Sequence, residues 1–322
     1  TKIRSYKLTM HIHILGICGT FMGSLAVMAK QMGYTVTGCD ENVYPPMSTY
    51  LEDQGINIIE GYDLKKIKAL KPDDIVIGNT VKRGNPIIEW VLSSKQALYS
   101  GPAWLAENVL KDKTVIAVAG THGKTTTTSF VSWILECAGK KPSFLIGGIA
   151  ENFACSSRLT KSKYFVIEAD EYDTALFDKR PKFIHYRPHT VILNNLEFDH
   201  ADIFRDVTDI QRYFAHLLKM LSAESHIVSN AGDHHLSQVL AMGYWSELHL
   251  FGHGGDWTAK LLEEDGSHFQ VLLHRVPVAE VKWELIGNHN VLNALAAIAA
   301  ADSIGVDPQV AGEALNSFKG IK

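Results

Sequence analysis

The stretch TVIAVAGTHGKTT, residues 114–126, contains the pattern that decides the fold of this chain. It begins with Thr114–Ala119, a continuous apolar run of the kind found in strands buried on both faces within a parallel sheet. The glycine-rich segment after this run leads into a helical pattern over Thr126–Ala138, which Gly139 and Pro142 bring to an end. The stretch therefore predicts a strand, a loop and a helix in succession.

The loop between this strand and helix, Gly120–Thr126, has the composition of a phosphate-binding loop. Backbone N–H groups and the positive end of the helix can point at an anion there, and glycines allow its close approach. Lys124 supplies a positive charge, and the hydroxyl of Thr125 is a suitable ligand for Mg²⁺. The match to the general P-loop pattern is partial, because Val118 stands where that pattern has a glycine. The alternative is a glycine-rich turn with an incidental lysine, but the strand–loop–helix context favours a phosphate site.

Short apolar runs alternate with helical patterns on both sides of this stretch. The other predicted strands are His11–Leu15, Tyr34–Cys39, Asn57–Ile59, Ile75–Ile77, Tyr164–Ile167 and Thr190–Leu193. Helices are predicted near Ser24–Met32 and over the alanine-rich segment Asn290–Ser303. This alternation predicts an α/β protein with parallel sheets covered by helices. We expect a Rossmann-like N-terminal domain over residues 1–110 and a P-loop-type parallel-sheet ATPase domain over residues 111–322.

The composition excludes several classes of protein. The 322 residues carry 31 basic and 35 acidic side chains and a net charge of −4, without the basic excess of a nucleic-acid-binding protein. No apolar run reaches the roughly 18 residues that span a membrane. The four cysteines are scattered and form no CxxC pair, which favours free thiols in a reducing compartment. We therefore expect a cytoplasmic protein without nucleic-acid or membrane partners; its oligomeric state stays open.

Two further polar clusters follow predicted strands. EADEYD, residues 168–173, comes after one apolar run, and NNLEFDH, residues 194–200, comes after another. Ligands of open α/β sheets collect outside the carboxyl ends of the strands, so both clusters and the loop can converge on one nucleotide–metal site. Carboxylate and hydroxyl oxygens suit Mg²⁺, whereas a histidine ligand is less usual. The alternatives are a solvated acidic turn for the first cluster and a surface Asp199–His200 pair in the second.

Together, the motifs GTHGKTT, EADEYD and NNLEFDH resemble those of the Mur ligase family, which adds amino acids or peptides to UDP-N-acetylmuramate. GNHNVLNALAA, residues 287–297, is similar to the adenine-contacting helix of that family. The resemblance implies ATP and Mg²⁺ as cofactors. It assigns ATP binding to Gly120, Thr121, His122, Gly123, Lys124, Thr125, Thr126, Asn290 and Asn293. It assigns catalysis to Lys124, Glu168 and His200, and metal binding to Thr125, Glu168 and His200.

The first predicted domain carries HILGICGTFMG, residues 13–23, in which a glycine turn opens a helix. In the Mur ligase family this domain holds the UDP-sugar, and a turn that opens a helix is suited to a diphosphate. The resemblance assigns UDP-sugar binding to Gly16, Gly19, Thr20, Phe21, Met22, Gly23, Asp40 and Asn85. Asp40 stands where dinucleotide-binding folds place the acid that contacts a ribose.

The segments VYPPMS (residues 43–48) and RGNP (residues 83–86) are similar to one branch of the family. That branch joins the tripeptide L-alanyl-γ-D-glutamyl-meso-diaminopimelate to the lactyl carboxylate of UDP-N-acetylmuramate through an acyl phosphate, in peptidoglycan recycling. The nearest alternative is the branch that adds L-alanine. A NAD-dependent dehydrogenase, suggested by the glycine turn and Asp40, and a non-catalytic nucleotide switch or motor are further alternatives.

The sequence departs from the family pattern in two places. The segment Gln211–His216 has no lysine where several members carry a carbamylated lysine that holds a second Mg²⁺. The chain also ends where the family passes into a C-terminal, amine-binding domain. We therefore expect a fragment that lacks this domain and cannot complete the reaction alone.

Overall fold

The computed structural model of the protein describes residues 9–198 and 204–322. The chain divides into two compact units. One unit ends at Val109 and also takes in Asp173–Lys179, and the other comprises Leu110–Tyr172 and Arg180–Lys322.

The first unit is built on a five-stranded sheet in which every strand pairing is parallel. Its strands are β1 His11–Leu15, β2 Thr35–Asp40, β3 Asn57–Glu60, β4 Asp74–Ile77 and β5 Ala97–Ser100, in the order β3-β2-β1-β4-β5. Its helices are α1 Thr20–Gln31, α2 Met47–Asp53, α3 Leu64–Leu70, α4 Pro86–Ser94 and α5 Gly101–Leu105, followed by a π-helical turn at Ala106–Leu110. Because β1 has a neighbour on each side, its apolar residues Ile12, Ile14 and Leu15 are fully buried.

The second unit is built on a larger, mixed sheet. Its strands are β6 Thr114–Ala119, β7 Ser143–Ala150, β8 Cys155–Arg158, β9 Tyr164–Glu168, β12 Thr190–Leu193, β13 His226–Asn230, β14 Glu247–Phe251, β15 Trp257–Leu261, β16 His268–Leu273 and β17 Val276–Lys282. The order is β17-β16-β15-β14-β13-β12-β6-β9-β7-β8. The strands from β15 to β7 in this order are parallel, whereas β8, β16 and β17 pair with their neighbours in the antiparallel sense.

Helices cover this sheet. They are α6 Lys124–Cys137, α7 Phe183–Tyr186, α8 Val207–Met220, α9 His234–Ala241, α10 Asn288–Asp302 and α11 Pro308–Leu315. The strands β10 Asp173–Ala175 and β11 Asp178–Pro181 form a separate two-stranded sheet. The alanine-rich helix α10 packs against α6, and its residues Ala294–Ala301 are buried. Small side chains let these helices approach each other closely, so that α10 begins beside the loop that precedes α6.

The structure confirms the predicted α/β class and the bounds of β1, β6 and β12. The predicted start of α6 at Thr126 is wrong by two residues, since the helix begins at Lys124. Gly123, with φ +79°, turns the chain directly into the helix, so Lys124 and Thr125 belong to its first turn.

Candidate active site

The loop after β6 requires glycine at two positions. Gly120 has φ +139° and Gly123 has φ +79°, values that side chains disfavour. A Cβ on Gly120 would lie 3.0 Å from the Asn195 carbonyl oxygen, and one on Gly123 would lie 2.7 Å from Asn293 Oδ1. Among the described residues, no side chain caps the amino end of α6. The loop thus presents the positive end of a helix without a capping side chain, which suits a phosphate group.

Lys124 lies folded over this loop. Its Nζ donates a hydrogen bond to the Gly120 carbonyl oxygen at 2.6 Å and another to Glu171 Oε2 at 3.2 Å. Asp170 Oδ1 is 3.9 Å from the same ammonium group. The lysine therefore neutralises the acidic turn that follows β9.

This acidic turn is buried rather than solvated, which excludes the alternative of a solvated acidic turn. The side chain of Glu171 is 3% exposed, and Lys182 Nζ lies 3.0 Å from Asp170 Oδ2. Burial raises the pKa of the Asp170 carboxyl, but Lys182 and Lys124 outweigh this effect and hold that pKa below its usual range. At Glu171, burial prevails over the attraction of Lys124 and raises the pKa.

Glu168, the last residue of β9, points its carboxylate at the middle of β7 and at α6. Oε1 accepts a hydrogen bond from the Gly147 N–H at 2.6 Å, and the carboxylate also interacts with the Thr125 side chain by a hydrogen bond. Burial raises the pKa of Glu168, and the Gly147 N–H offsets this only in part. A Cβ on Gly147 would lie 2.8 Å from Glu168 Oε2, so glycine is required for this approach. Thr125 and Glu168 together provide the two kinds of oxygen that Mg²⁺ prefers.

Two asparagines after β12 hold the loop in place. Asn195 Oδ1 accepts from the His122 N–H at 2.7 Å, and Asn195 Nδ2 donates to the His122 carbonyl oxygen at 3.1 Å. Asn194 Nδ2 donates to Thr127 Oγ1 at 2.9 Å. Asn194 Oδ1 is buried and finds no hydrogen-bond partner within the described ranges 9–198 and 204–322. The sequence motif contained both asparagines but did not indicate these contacts.

The first turns of α10 meet the same loop. Asn293 Oδ1 accepts a hydrogen bond from Asn194 Nδ2 at 3.4 Å and lies beside Gly123. Asn290 Nδ2 donates to the Ile286 carbonyl oxygen at 2.8 Å, within its own helix start. Lys124, Thr125, Glu168 and Asn293 are thus brought together. His200 lies outside the described residues, so its predicted role as a metal ligand and catalytic residue stays a prediction.

The predicted UDP-sugar residues surround the turn between β1 and α1. Gly16, with φ +76°, donates its N–H to the Cys39 carbonyl oxygen at 2.9 Å, and Gly19 directly precedes α1. Thr20, Phe21, Met22 and Gly23 form the first turn of this helix. Asp40 holds the turn by accepting a hydrogen bond from the Cys18 N–H at 2.9 Å.

Asn85 begins α4, and its Oδ1 accepts a hydrogen bond from the Ile87 N–H at 2.9 Å. The structure thus gives Asp40 and Asn85 roles in shaping their own loops. Their contacts with a ribose and with substrate stay predictions.

A glycine–lysine loop and the Thr125–Glu168 pair of oxygens in one unit, and a glycine turn in the other, Rossmann-like unit, are the features of an ATP-dependent ligase that forms amide bonds. The model of the Mur ligase middle domain matches residues 118–301, and that of the Mur ligase family catalytic domain matches residues 11–112. The chain belongs to the Mur ligase family.

Individual members of the family resemble the chain over nearly its whole length. The chain is 54% identical over 312 residues to the UDP-N-acetylmuramate–L-alanyl-γ-D-glutamyl-meso-2,6-diaminoheptandioate ligase of Haemophilus influenzae. This match covers 97% of this chain and 69% of that protein. The crystal structure of the ligase of corresponding name from Neisseria meningitides superimposes with a TM-score of 0.94 at 52% identity, covering 98% of this chain and 99% of that one. The UDP-N-acetylmuramate–L-alanine ligase of Bordetella pertussis is 32% identical over 320 residues, covering 97% of this chain and 66% of that protein.

Within the part of the chain that the structure describes, no helix is both long and apolar enough to cross a membrane.

Proposed function

We propose that this chain binds ATP and UDP-N-acetylmuramate for a ligase that joins the lactyl carboxylate to the tripeptide L-alanyl-γ-D-glutamyl-meso-diaminopimelate. The observation that carries the proposal is the convergence of Lys124, Thr125 and Glu168 at the ends of β6 and β9, in a member of the Mur ligase family. The two domains assigned from the sequence supply one substrate site each: residues 1–110 for the UDP-sugar and residues 111–322 for ATP.

The reaction has two steps. An oxygen of the lactyl carboxylate attacks the γ-phosphorus of ATP, the bond to the β-phosphate oxygen breaks, and an acyl phosphate and ADP form. The amine of the tripeptide then attacks the acyl carbon, loses a proton, and phosphate departs as the amide forms. Activation is necessary because a carboxylate and an amine do not condense favourably in water.

Lys124 carries out the electrostatic part of the first step. Its ammonium group is held 3.2 Å from Glu171 and adjoins the glycine loop. When phosphate oxygens enter the loop, Lys124 leaves Glu171 and contacts those oxygens instead. Its positive charge then offsets the negative charge that develops during phosphoryl transfer. The raised pKa of Glu171 makes that exchange easier, because the carboxyl can take up a proton when the ammonium leaves.

Thr125 and Glu168 would hold Mg²⁺, with His200 as the third ligand assigned from the sequence. When bound, the ion would supply positive charge that offsets the negative charge of the phosphates. Gly147 and Thr125 fix the Glu168 carboxylate by hydrogen bonds, so its orientation is set before the ion arrives. The adenine would lie against Asn290 and Asn293 at the start of α10.

The first unit would hold the UDP-sugar at the turn from Gly16 to Gly23. Its diphosphate would face the amino end of α1, where Gly19 contributes no side chain. Asp40 stabilises that turn through Cys18 and would reach the ribose, and Asn85 would contact the sugar. Free cysteines on both units are compatible with a cytoplasmic location for these substrates.

The tripeptide is favoured over L-alanine as acceptor. Identity is 54% to the Haemophilus ligase, which is named for the tripeptide, and 32% to the Bordetella ligase, which is named for L-alanine. The NAD-dependent dehydrogenase is disfavoured, because family membership accounts for the glycine turn and Asp40 without a hydride-transfer step.

An amine competition assay tests this proposal. The complete gene product receives ATP, Mg²⁺ and UDP-N-acetylmuramate with equal concentrations of tripeptide and L-alanine, and mass spectrometry identifies the product. We expect the tripeptide adduct to dominate. Efficient use of L-alanine with no tripeptide adduct would overturn the acceptor assignment, and ATP hydrolysis indifferent to UDP-N-acetylmuramate would favour a nucleotide switch or motor.

A further inference from the structure

Three potential metal ligands meet at the opposite edge of the second sheet from the nucleotide loop. His226 is the first residue of β13 and pairs in register with Glu247, the first residue of β14. His249 lies two residues further along β14, so its side chain projects from the same face as Glu247. Parallel strands bring their amino ends to one edge, and the loop after β6 lies at the other.

The separations of the ligand atoms are close to those of a tetrahedral metal site, with the two histidines facing different oxygens of Glu247. His226 Nδ1 lies 3.0 Å from His249 Nε2 and 3.5 Å from Glu247 Oε2, and His249 Nε2 lies 3.6 Å from Glu247 Oε1. A tetrahedral Zn²⁺ with ligands at about 2.0–2.1 Å places them about 3.4 Å from one another. All three residues offer one ligand atom within 4.8 Å of the others. A small shift that widens the separation of the two imidazoles and turns one Glu247 oxygen towards both of them is enough to complete three corners of a tetrahedron.

The surroundings fit a metal ion better than a chance surface contact. The imidazoles are 17% and 18% exposed, so their positions are fixed by packing, whereas Glu247 is 64% exposed and leaves a path from solvent. Asp302 is the last residue of α10. It lies near both histidines and adds negative charge to the surroundings of His226, Glu247 and His249. The simpler alternative is a hydrogen bond between two neutral histidines, with Glu247 beside them.

We propose that His226, Glu247 and His249 bind one divalent transition-metal ion, with Zn²⁺ as the preferred ion. Two imidazoles and a carboxylate suit Zn²⁺, and Mg²⁺ prefers oxygen ligands alone. The fourth position is open to water, and Asp302 contributes only its nearby negative charge. The bound ion clamps β13 to β14 and stabilises this edge of the sheet, at a distance from the phosphate loop.

Zn²⁺ titration of the untagged chain by calorimetry tests this site. Excess Mg²⁺ is included so that it occupies the predicted metal ligands of the nucleotide site. We expect saturation at one Zn²⁺ per chain and a rise in the melting temperature of the chain with Zn²⁺. Absence of a saturable Zn²⁺ site under these conditions overturns the proposal.

Two variants and a matched control locate the ion. Glu247→Gln and His249→Gln should each weaken Zn²⁺ binding at least about tenfold. Glu280→Gln serves as the control, because Glu280 is also exposed and lies 2.7 Å from a histidine, His268, in a pair outside the three-residue group. Unchanged Zn²⁺ affinity in both Glu247→Gln and His249→Gln contradicts the assignment.

Replacing Zn²⁺ by Co²⁺ gives a visible absorption spectrum that reports metal coordination directly. A purely structural role of these residues would not produce that spectrum. Tetrahedral coordination by two imidazoles gives strong visible absorption bands. We expect these bands in the wild-type chain and in Glu280→Gln, and their loss in His249→Gln. Their absence from the wild type, or their persistence in His249→Gln, is evidence against the site.

Discussion

At the scale of single residues, the positive charge of Lys124 serves two partners in turn, the Glu171 carboxylate and the phosphate of the proposed reaction. In the structure its ammonium group neutralises Glu171, which is nearly inaccessible to solvent, and in the proposed reaction it neutralises phosphate. Removal of Lys124 leaves a buried carboxylate without its cation, which lowers the stability of the fold. It also removes a positive charge from the phosphate site, which lowers the affinity for ATP. The structural and functional contributions of Lys124 can therefore be measured separately.

Lys124→Met should weaken ATP binding by about tenfold or more, and it should lower the free energy of unfolding by about 3 kcal/mol. The double variant Lys124→Met/Glu171→Gln should recover most of the stability, because both charges of the pair are removed together, but none of the ATP affinity. Calorimetric ATP titration and urea unfolding measure the two effects. Recovery of ATP binding in the double variant would show that the lysine acts only on Glu171.

Gly123 combines an unusual backbone conformation with a close neighbour. Gly123→Ala should weaken ATP binding by at least about tenfold, because a methyl group there would displace Asn293. Gly139→Ala is the matched control, since Gly139 has φ +72° but a methyl group added there would have no atom within 4 Å among the described residues. It should lose only about 1 kcal/mol of stability through backbone strain and keep ATP affinity. Equal ATP affinities in the two variants would argue against a site at Gly123.

His13 is a fully buried histidine in the middle of β1, where Nδ1 lies 2.7 Å from Thr37 Oγ1. Burial, followed by the nearby charge of His11, lowers the pKa of His13 to about 3. The unfolded chain, with a pKa near 6.5, therefore binds more protons than the folded chain below pH 6.5. The stability that depends on neutral His13 is complete above about pH 6.5 and is lost as pH falls from there towards about 3.

Between about pH 7 and pH 5 this histidine should lower the stability of the first unit by about 2 kcal/mol. Fluorine NMR of labelled Trp104, which is buried in that unit, follows urea unfolding at both pH values. The pH dependence should be smaller by that amount in His13→Gln. The same pH dependence in both proteins would contradict the buried, neutral state of His13.

At the scale of elements, the site is made where β6, β9 and β12 end side by side. The apolar runs of these strands and the polar residues after them allowed the loop and the acidic cluster to be predicted from sequence, and the family resemblance selected Glu168 within that cluster. The contacts of Gly147, Lys182 and Asn195 were not predictable in this way, because they depend on strand order and on side-chain direction. The strands β15–β17 were also missed, because they are largely half-exposed, form antiparallel pairs and carry no continuous apolar run.

Glu168, the last residue of β9, contacts β7 and α6, and its charge can be removed with little change of shape. The amide oxygen of Glu168→Gln can still accept a hydrogen bond from the Gly147 N–H, so β7 and the end of β9 should stay in place. We expect Mg²⁺ to strengthen ATP binding to the wild type and to have at least about tenfold less effect on the variant. ATP titrations with Mg²⁺ and with EDTA make the comparison. An undiminished effect of Mg²⁺ on Glu168→Gln would remove this residue from the metal site.

At the scale of the whole molecule, the chain divides into two compact units. The sequence indicated a division near residue 110 through the change from one alternating series to the next. It did not indicate that Asp173–Lys179 belongs with the first unit, where Ala175 joins the core around Ile75 and Ile77. The packing of Asp173–Lys179 against the first unit depends on tertiary contacts, which a local pattern of hydrophobic residues does not predict.

The central claim is that the two units serve one reaction, in which ATP activates the lactyl carboxylate. The most direct test supplies the complete gene product with UDP-N-acetylmuramate labelled with ¹⁸O in that carboxylate, together with ATP, Mg²⁺ and the tripeptide. Because a carboxylate oxygen becomes the bridge of the acyl phosphate and leaves with phosphorus, we predict one ¹⁸O atom in the phosphate released per amide formed. Amide formation that releases phosphate without ¹⁸O, detected by phosphorus NMR, would contradict the account.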